Sequence, residues 1–372
     1  MPRFRQLDSL RGIAAVTVVL HHFIWARLDT QTKIPPMPTT FWLSFHIFHI
    51  LFLGQEAVLL FFVLSGVVLA WAISARRPLL YGDYVIHRVC RIYLPYLFSL
   101  MLSSGACALY FRQIPPWTPW LANIWTRTPL LSEFFDHLLF LGTYPHKFNP
   151  VYWSLIVEMR VSLLLPLVVL FFQRLRMQLA LRLLAAITVT DSILQPFIQR
   201  NAPVVVADWI LTIHYLIIFC YGIMIALHSV RISAIFLKLS QSSKNSLLIG
   251  SIFTAFYAWP LLSQQVPNIN WDFLAGLGAV MLISLAMFDQ VVERFLSWPL
   301  FMWLGKISYS LYLIHMTVLL LCIAMFEKYL RYRFIFVVAF LGSLLASECM
   351  VRAIEKPAQR LGRSLDRAHR NP

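Results

Sequence analysis

Charge is what this 372-residue sequence has least of: Asp, Glu, Lys and Arg make up 13% of it, against roughly 25% in a soluble domain. Hydrophobic residues reach 59%. A soluble fold cannot hide that much apolar surface in its core, so the two or three soluble domains that the length allows are excluded. Disorder, collagen-like repeats and coiled coil fall with the same composition. Cysteine is scarce too. Cys90, Cys107, Cys220, Cys322 and Cys349 form no CxxC pair, which indicates neither a disulfide framework nor a zinc site. There is no HExxH, Walker loop or GxSxG, and the adjacent His21 and His22 project about 100° apart on a helix. The expected metal content is none. No long basic run interleaves with aromatics, so the formal charge of +15 does not point to nucleic acid.

What is present is a succession of apolar segments near the spanning length of about 20 residues. They fall near 10–27, 56–74, 92–111, 153–173, 179–195, 207–227, 245–262, 271–288, 306–326 and 333–351. The fold class expected is all-α, an integral membrane bundle of about ten transmembrane helices. Segments 41–53 and 131–143 are too short to span and read as interfacial or re-entrant helices. The Pro- and Trp-rich loop 112–130 is expected to cap the outer face with its Trp residues at headgroup level. Asp8, Arg11, His21 and His22 interrupt the first apolar stretch, and no small-x-small site follows it, so an uncleaved first helix is expected. Of the 31 Lys and Arg, 21 fall on one side, nine on the other and Arg160 within a span. That asymmetry puts both termini in the cytoplasm. Residues 1–352 read as the transmembrane domain and 353–372 as a basic cytoplasmic tail.

Ionisable residues inside hydrocarbon are costly, so each is a functional candidate. Arg11 and His22 are eleven residues apart, about three turns, and share a helix face about 16 Å apart along the axis. Asp8 can pair with Arg11 on that face. The plain alternative has Arg11 snorkelling to headgroups and His22 satisfied by a neighbouring helix. Arg88 and Arg91 fall on one side of a helix entry, suited to phosphate or simply to setting topology. Ser154 and Glu158 share a face of the fourth span, where Glu158 fits either a site or a structural ion pair; Arg160 lies on another face. Ser308, Tyr312 and His315 form a polar stripe fit for catalysis or for interhelical hydrogen bonds. His46, His49, Glu56, Asp191, His214 and Glu348 are isolated polar positions without rank.

These motifs together resemble acyltransferase family 3, membrane proteins that include bacterial enzymes O-acylating surface glycans, signalling lipo-oligosaccharides and macrolides. The resemblance is carried in order by LDSLRGIAAVTVVLHHF (7–23), FFVLSG (61–66), HRVCRIYLPY (87–96), WSLIVE (153–158), LGKISYSLYLIH (304–315) and EKP (355–357). It implies His22, Arg11 and Glu158 as catalytic residues, and Arg11, Arg88 and Arg91 as donor-binding. Asp8, Ser154, Ser308, Tyr312 and His315 would support them. The implied donor is a cytoplasmic acyl-CoA, acetyl-CoA first, with no tightly bound cofactor. Its pantetheine arm would run along the first helix to His22, acting as general base or carrying the acyl group. Glu158 or Tyr312 would fix the His22 tautomer. The implied partners are a glycan or glycolipid acceptor and membrane lipids, not nucleic acid, with homo-oligomerisation open. The implied location is the bacterial plasma (inner) membrane, multi-pass. After Glu158 the family's aromatic run is replaced by MRVSLLLP, which bears on pocket shape and acceptor size. A transporter or flippase of a lipid-linked saccharide is the competing class, but it expects related halves or paired broken helices, and no repeat is visible.

Overall fold

The computed structural model describes residues 4–27, 53–75, 80–128, 130–140, 148–256, 262, 266 and 268–370. His46, His49 and the short segment expected at 41–53 lie outside the described residues, apart from Leu53. Among the described residues all regular structure is helical. That is what hydrocarbon demands of a chain that must satisfy its own backbone.

The helices are α1 (Arg5–Trp25), α2 (Gly54–Ala75), α3 (Tyr81–Arg88), α4 (Leu94–Tyr110), α5 (Leu131–Leu138), α6 (Tyr152–Arg174), α7 (Met177–Asn201) and α8 (Val204–Leu227). They continue with α9 (Ser229–Lys238), α10 (Gln241–Phe256), α11 (Asp272–Phe288), α12 (Gln290–Leu296), α13 (Pro299–Phe326), α14 (Tyr332–Met350) and α15 (Lys356–Arg370). Eight helical segments among the described residues are long and apolar enough to cross a membrane, or nine if the bent pair α11–α12 is one span. The protein is an all-α membrane bundle. Of the ten spans expected, the remaining two are α10, at 16 residues, and α11, at 17, which turns by 90° into α12. Asp289 makes that corner by accepting from Val291 N and Val292 N at 3.0 and 2.9 Å.

Contacts divide the chain into two compact units. The first comprises Met1–Ala14, Gln55–Tyr81 and Arg160–Lys306. Its close helix crossings explain motif glycines. A methyl at Gly66 would overlap the Phe219 carbonyl oxygen and one at Gly222 the Val63 carbonyl, so α2 and α8 touch backbone to backbone. Gly12 and Gly305 do the same where α1 meets the start of α13.

The second unit comprises Ala15–Gly54, Gly82–Met159 and Ile307–Pro372. Its apolar core holds several paired polar groups. Ser99 and Asn149 both donate to the Leu313 carbonyl at 3.1 Å, and Tyr96 OH meets His137 Nδ1 at 3.0 Å. Two π-turns mark this unit, Val89–Tyr93 and Val351–Glu355. Each ends two residues before a proline, Pro95 and Pro357. A proline has no N–H for the carbonyl four residues back and its ring pushes that carbonyl away, so the preceding turn widens. The segment expected as a basic tail is helix α15, and Gly362 seats it against Cys90 and His87 of the first π-turn region.

Candidate active site

His22 sits near the end of α1, half-buried. Its Nδ1 lies 3.0 Å from the Val18 carbonyl oxygen and 3.2 Å from Nε2 of His315, which α13 supplies fully buried. The His315 Nδ1 in turn lies 3.0 Å from the Leu311 carbonyl oxygen. A carbonyl can only accept, so His315 carries its proton on Nδ1 and presents a lone pair on Nε2. The same logic puts the His22 proton on Nδ1, shared between Val18 and His315. The network therefore assigns the lone pair of His22 to Nε2. The partner that fixes the His22 tautomer is His315, not the Glu158 or Tyr312 expected from the motifs.

Aromatic rings close over this pair. Trp120 stacks on His22 with centroids 5.9 Å apart and on Trp25 at 5.4 Å with planes 3° apart. The loop that delivers Trp120 is pinned inside the protein. Trp125 is 1% exposed and donates its indole N–H to the Phe148 carbonyl at 2.9 Å, while Thr118 Oγ1 accepts from Leu121 N at 3.1 Å. Of the tryptophans in this loop, Trp125 is buried against protein, while Trp117 and Trp120 are half-buried. His21 points away from His22, edge-on at 5.4 Å, and packs on Trp25 and beside Gly54.

Below His315 the polar stripe of α13 continues. Tyr312 OH and Ser154 Oγ are 2.6 Å apart, joining α13 to α6, with Ser308 buried one turn earlier. Glu158, one turn beyond Ser154 and half-buried, lies within Coulombic reach of both Tyr312 and Tyr309. Tyr309 also faces Glu355 and Arg91, and donates to the Ile92 carbonyl at 2.7 Å inside the first π-turn. That turn changes the arginine pair. Arg88 is half-buried over the Tyr84 ring at 5.9 Å, whereas Arg91 is exposed. Three residues do not return to one side where the turn is wide, so the expected common face of an α-helix does not apply.

Asp8, Arg11 and Arg160 belong to the first unit. Asp8 and Arg11 pair across 3.8 Å as their spacing requires. Arg160 is buried and structural: it meets Asp208 at 2.6 Å and Thr212 at 3.2 Å and covers the Trp209 ring at 4.6 Å. These three partners lie on α8, so Arg160 ties α6 to α8 inside the first unit. Sequence reasoning missed Trp120, for which the only signal was the Trp content of its loop. It also missed the His22–His315 bond, which joins residues 293 positions apart.

A family model described as an acyltransferase domain matches residues 4–348, nearly the whole chain. No curated protein and no solved structure matches it. On that match, the chain belongs to acyltransferase family 3 and is a multi-pass membrane acyltransferase.

Proposed function

We propose that the protein moves an acyl group, acetyl first, from a cytoplasmic acyl-CoA to a hydroxyl of a carbohydrate-containing acceptor. Surface polysaccharide, O-antigen and exopolysaccharide are the acceptors of this kind, and the bacterial inner membrane is the setting. The observation that carries the reading is the lone pair on His22 Nε2, fixed by His315 through Nδ1. A histidine so held is a general base.

The acceptor hydroxyl gives its proton to His22 Nε2 as its oxygen attacks the thioester carbonyl. The new C–O bond forms, the C–S bond breaks, and the proton passes from His22 to the departing thiolate, giving an ester and free CoA. His315 accepts from Nδ1–H throughout and stabilises the imidazolium that forms. Arg88 and Arg91 suit the phosphates of the donor, since guanidinium forks match phosphate oxygens. Arg11, paired with Asp8 on α1, is the third donor-binding residue of this reading. Ser154, Ser308 and Tyr312 hold α6 and α13 in register around the dyad, and Glu158 supports its charge through Tyr312 and Tyr309.

The test is consumption of acetyl-CoA by the purified protein, followed by free-thiol release in the presence of membrane glycans, with mass spectrometry of glycans from a deletion strain. The expected result is thiol release that His22→Ala abolishes at normal abundance, and one glycan species lacking an acyl mass in the deletion strain. A transporter or flippase would release no thiol and overturn the reading.

A further inference from the structure

Beside the His22 ring, the second unit carries a patch of aromatic faces and arginines that the acyl-transfer chemistry leaves unused. Arg27 is five residues beyond His22, in the turn that follows α1. Its guanidinium lies 5.6 Å from the ring centre of Trp117 and 5.2 Å from that of Tyr332. Arg333 reaches the same tyrosine, its Nε donating to Tyr332 OH at 3.3 Å. Two segments distant in sequence therefore hold two guanidinium groups on one aromatic cluster. Phe23 packs on Phe336 at 5.7 Å, fixing the end of α1 to the first turns of α14.

The tryptophans tie this patch to the base. Trp117 and Trp120 lie three residues apart in the same pinned loop: Trp117 carries Arg27 and Trp120 lies on His22. Among the described residues neither Arg27 nor Arg333 makes an ion pair, whereas Arg127 in that loop is taken by Glu133 at 2.6 Å. Lys328 and Arg331 are exposed in the connection leading to Tyr332, which adds positive charge. The indole Nε1 of Trp25 is buried yet has no hydrogen-bond partner among the described residues. A buried donor without a partner is costly unless something external accepts from it.

We propose that this patch is the acceptor site and that it selects an anionic saccharide. Indole faces take the C–H faces of a sugar ring, and the unpartnered Trp25 N–H donates to a sugar hydroxyl. Arg27 and Arg333, pre-ordered by cation–π contact, grip a carboxylate or phosphate on the same or the neighbouring residue. The acceptor hydroxyl then lies beside His22 Nε2. The proposal rests on the acyl-transfer reading but is tested apart from it.

The experiment measures anisotropy of a fluorescent oligogalacturonate, and of the same oligosaccharide with its carboxylates reduced to alcohols, against the full chain in phosphatidylcholine nanodiscs. The acidic probe is expected to bind at least tenfold tighter, and Arg27→Gln and Arg333→Gln are each expected to weaken it by about tenfold. Arg27→Lys, which keeps the charge, is expected to recover part of the loss, and Trp117→Ala to weaken binding again. Equal affinity for the two probes, no binding of either, or an unchanged Arg27→Gln would overturn the proposal. Native mass spectrometry in phosphatidylglycerol nanodiscs separates the other use of these cations. Loss of bound lipid in Arg27→Gln with saccharide binding intact would make the patch a headgroup site and overturn it. Saccharide binding is read without any acyl donor, so a failed transfer assay and a failed acceptor site give different results.

Discussion

The two units each hold a histidine on an apolar helix, and the two are used in opposite ways. In the first unit His214 of α8 has a carboxylate on each side: Asp191 Oδ2 lies 2.5 Å from Nδ1 and Asp272 Oδ2 3.3 Å from Nε2. Both ring nitrogens are spent on structure, tying α7, α8 and the start of α11 together. In the second unit His22 has a carbonyl and a second histidine, and both stand at the same nitrogen. Its other nitrogen keeps a lone pair. The residue type and its apolar surroundings are alike in the two places. What separates a brace from a base is whether partners occupy one nitrogen or both.

The largest effect that could break this contrast is on the histidines themselves. His22→Ala is expected to lower turnover by about 10²–10⁴-fold, the range of general acid–base catalysis, with little change in thermal stability. His214→Ala is expected to do the reverse, removing the partner of two buried carboxylates at a cost of about 3–5 kcal/mol. Thermal melts of detergent-purified protein beside initial rates decide between them, and the contrast fails if both variants lose the same property.

A second pair sharpens it across two residues of α6. Arg160→Gln leaves Asp208 buried without its cation and is expected to destabilise the fold by about 3–5 kcal/mol. Glu158→Gln is expected to keep the fold and lower turnover more than donor affinity, read as a fall in kcat at near-constant KM. Equal melting temperatures for Arg160→Gln and the parent protein would remove Arg160 from the structural side.

The smallest effect is the finest test. His315→Phe keeps the ring packing but cannot accept from His22 Nδ1–H, and a roughly 10–100-fold loss in kcat is expected, as when a group that fixes a tautomer is removed. KM for the donor should stay within a factor of two or so. A loss confined to KM would mean that His315 shapes the site without orienting the base.

Much of the helical frame was legible in the residues. The first span, expected at 10–27, is Arg5–Trp25, beginning earlier because the Asp8–Arg11 pair lets helix run on outside the apolar stretch. The Ser308–Tyr312–His315 stripe was visible as a period on α13, and the structure turns two of its members to Ser154 and His22. The π-turns were not legible as such, although Pro95 and Pro357 were in plain view. A proline announces a break, but whether the chain kinks, frays or widens depends on which neighbour takes the released carbonyls. Here Tyr309, more than 200 residues from Ile92, donates to a carbonyl inside the widened turn. Asp191, Asp272 and His214 likewise look isolated along the chain, since the bonds that join them span 23 and 58 residues.

By itself the sequence determined that this protein lives in a membrane as helices. With so few charges, no other solvent suits its side chains, and continuous apolar runs near spanning length, without the alternation of barrel strands, leave the helix to satisfy the backbone. It also determined which residues were costly enough in hydrocarbon to need a reason. Only the tertiary structure decided what those reasons are. A hydrogen bond depends on a few tenths of an ångström and on direction, and the partners come from helices hundreds of residues apart. The nitrogen of His22 that bears the lone pair, the burial of Arg160 as a brace and the Trp120 ring over the base are all fixed by that assembly.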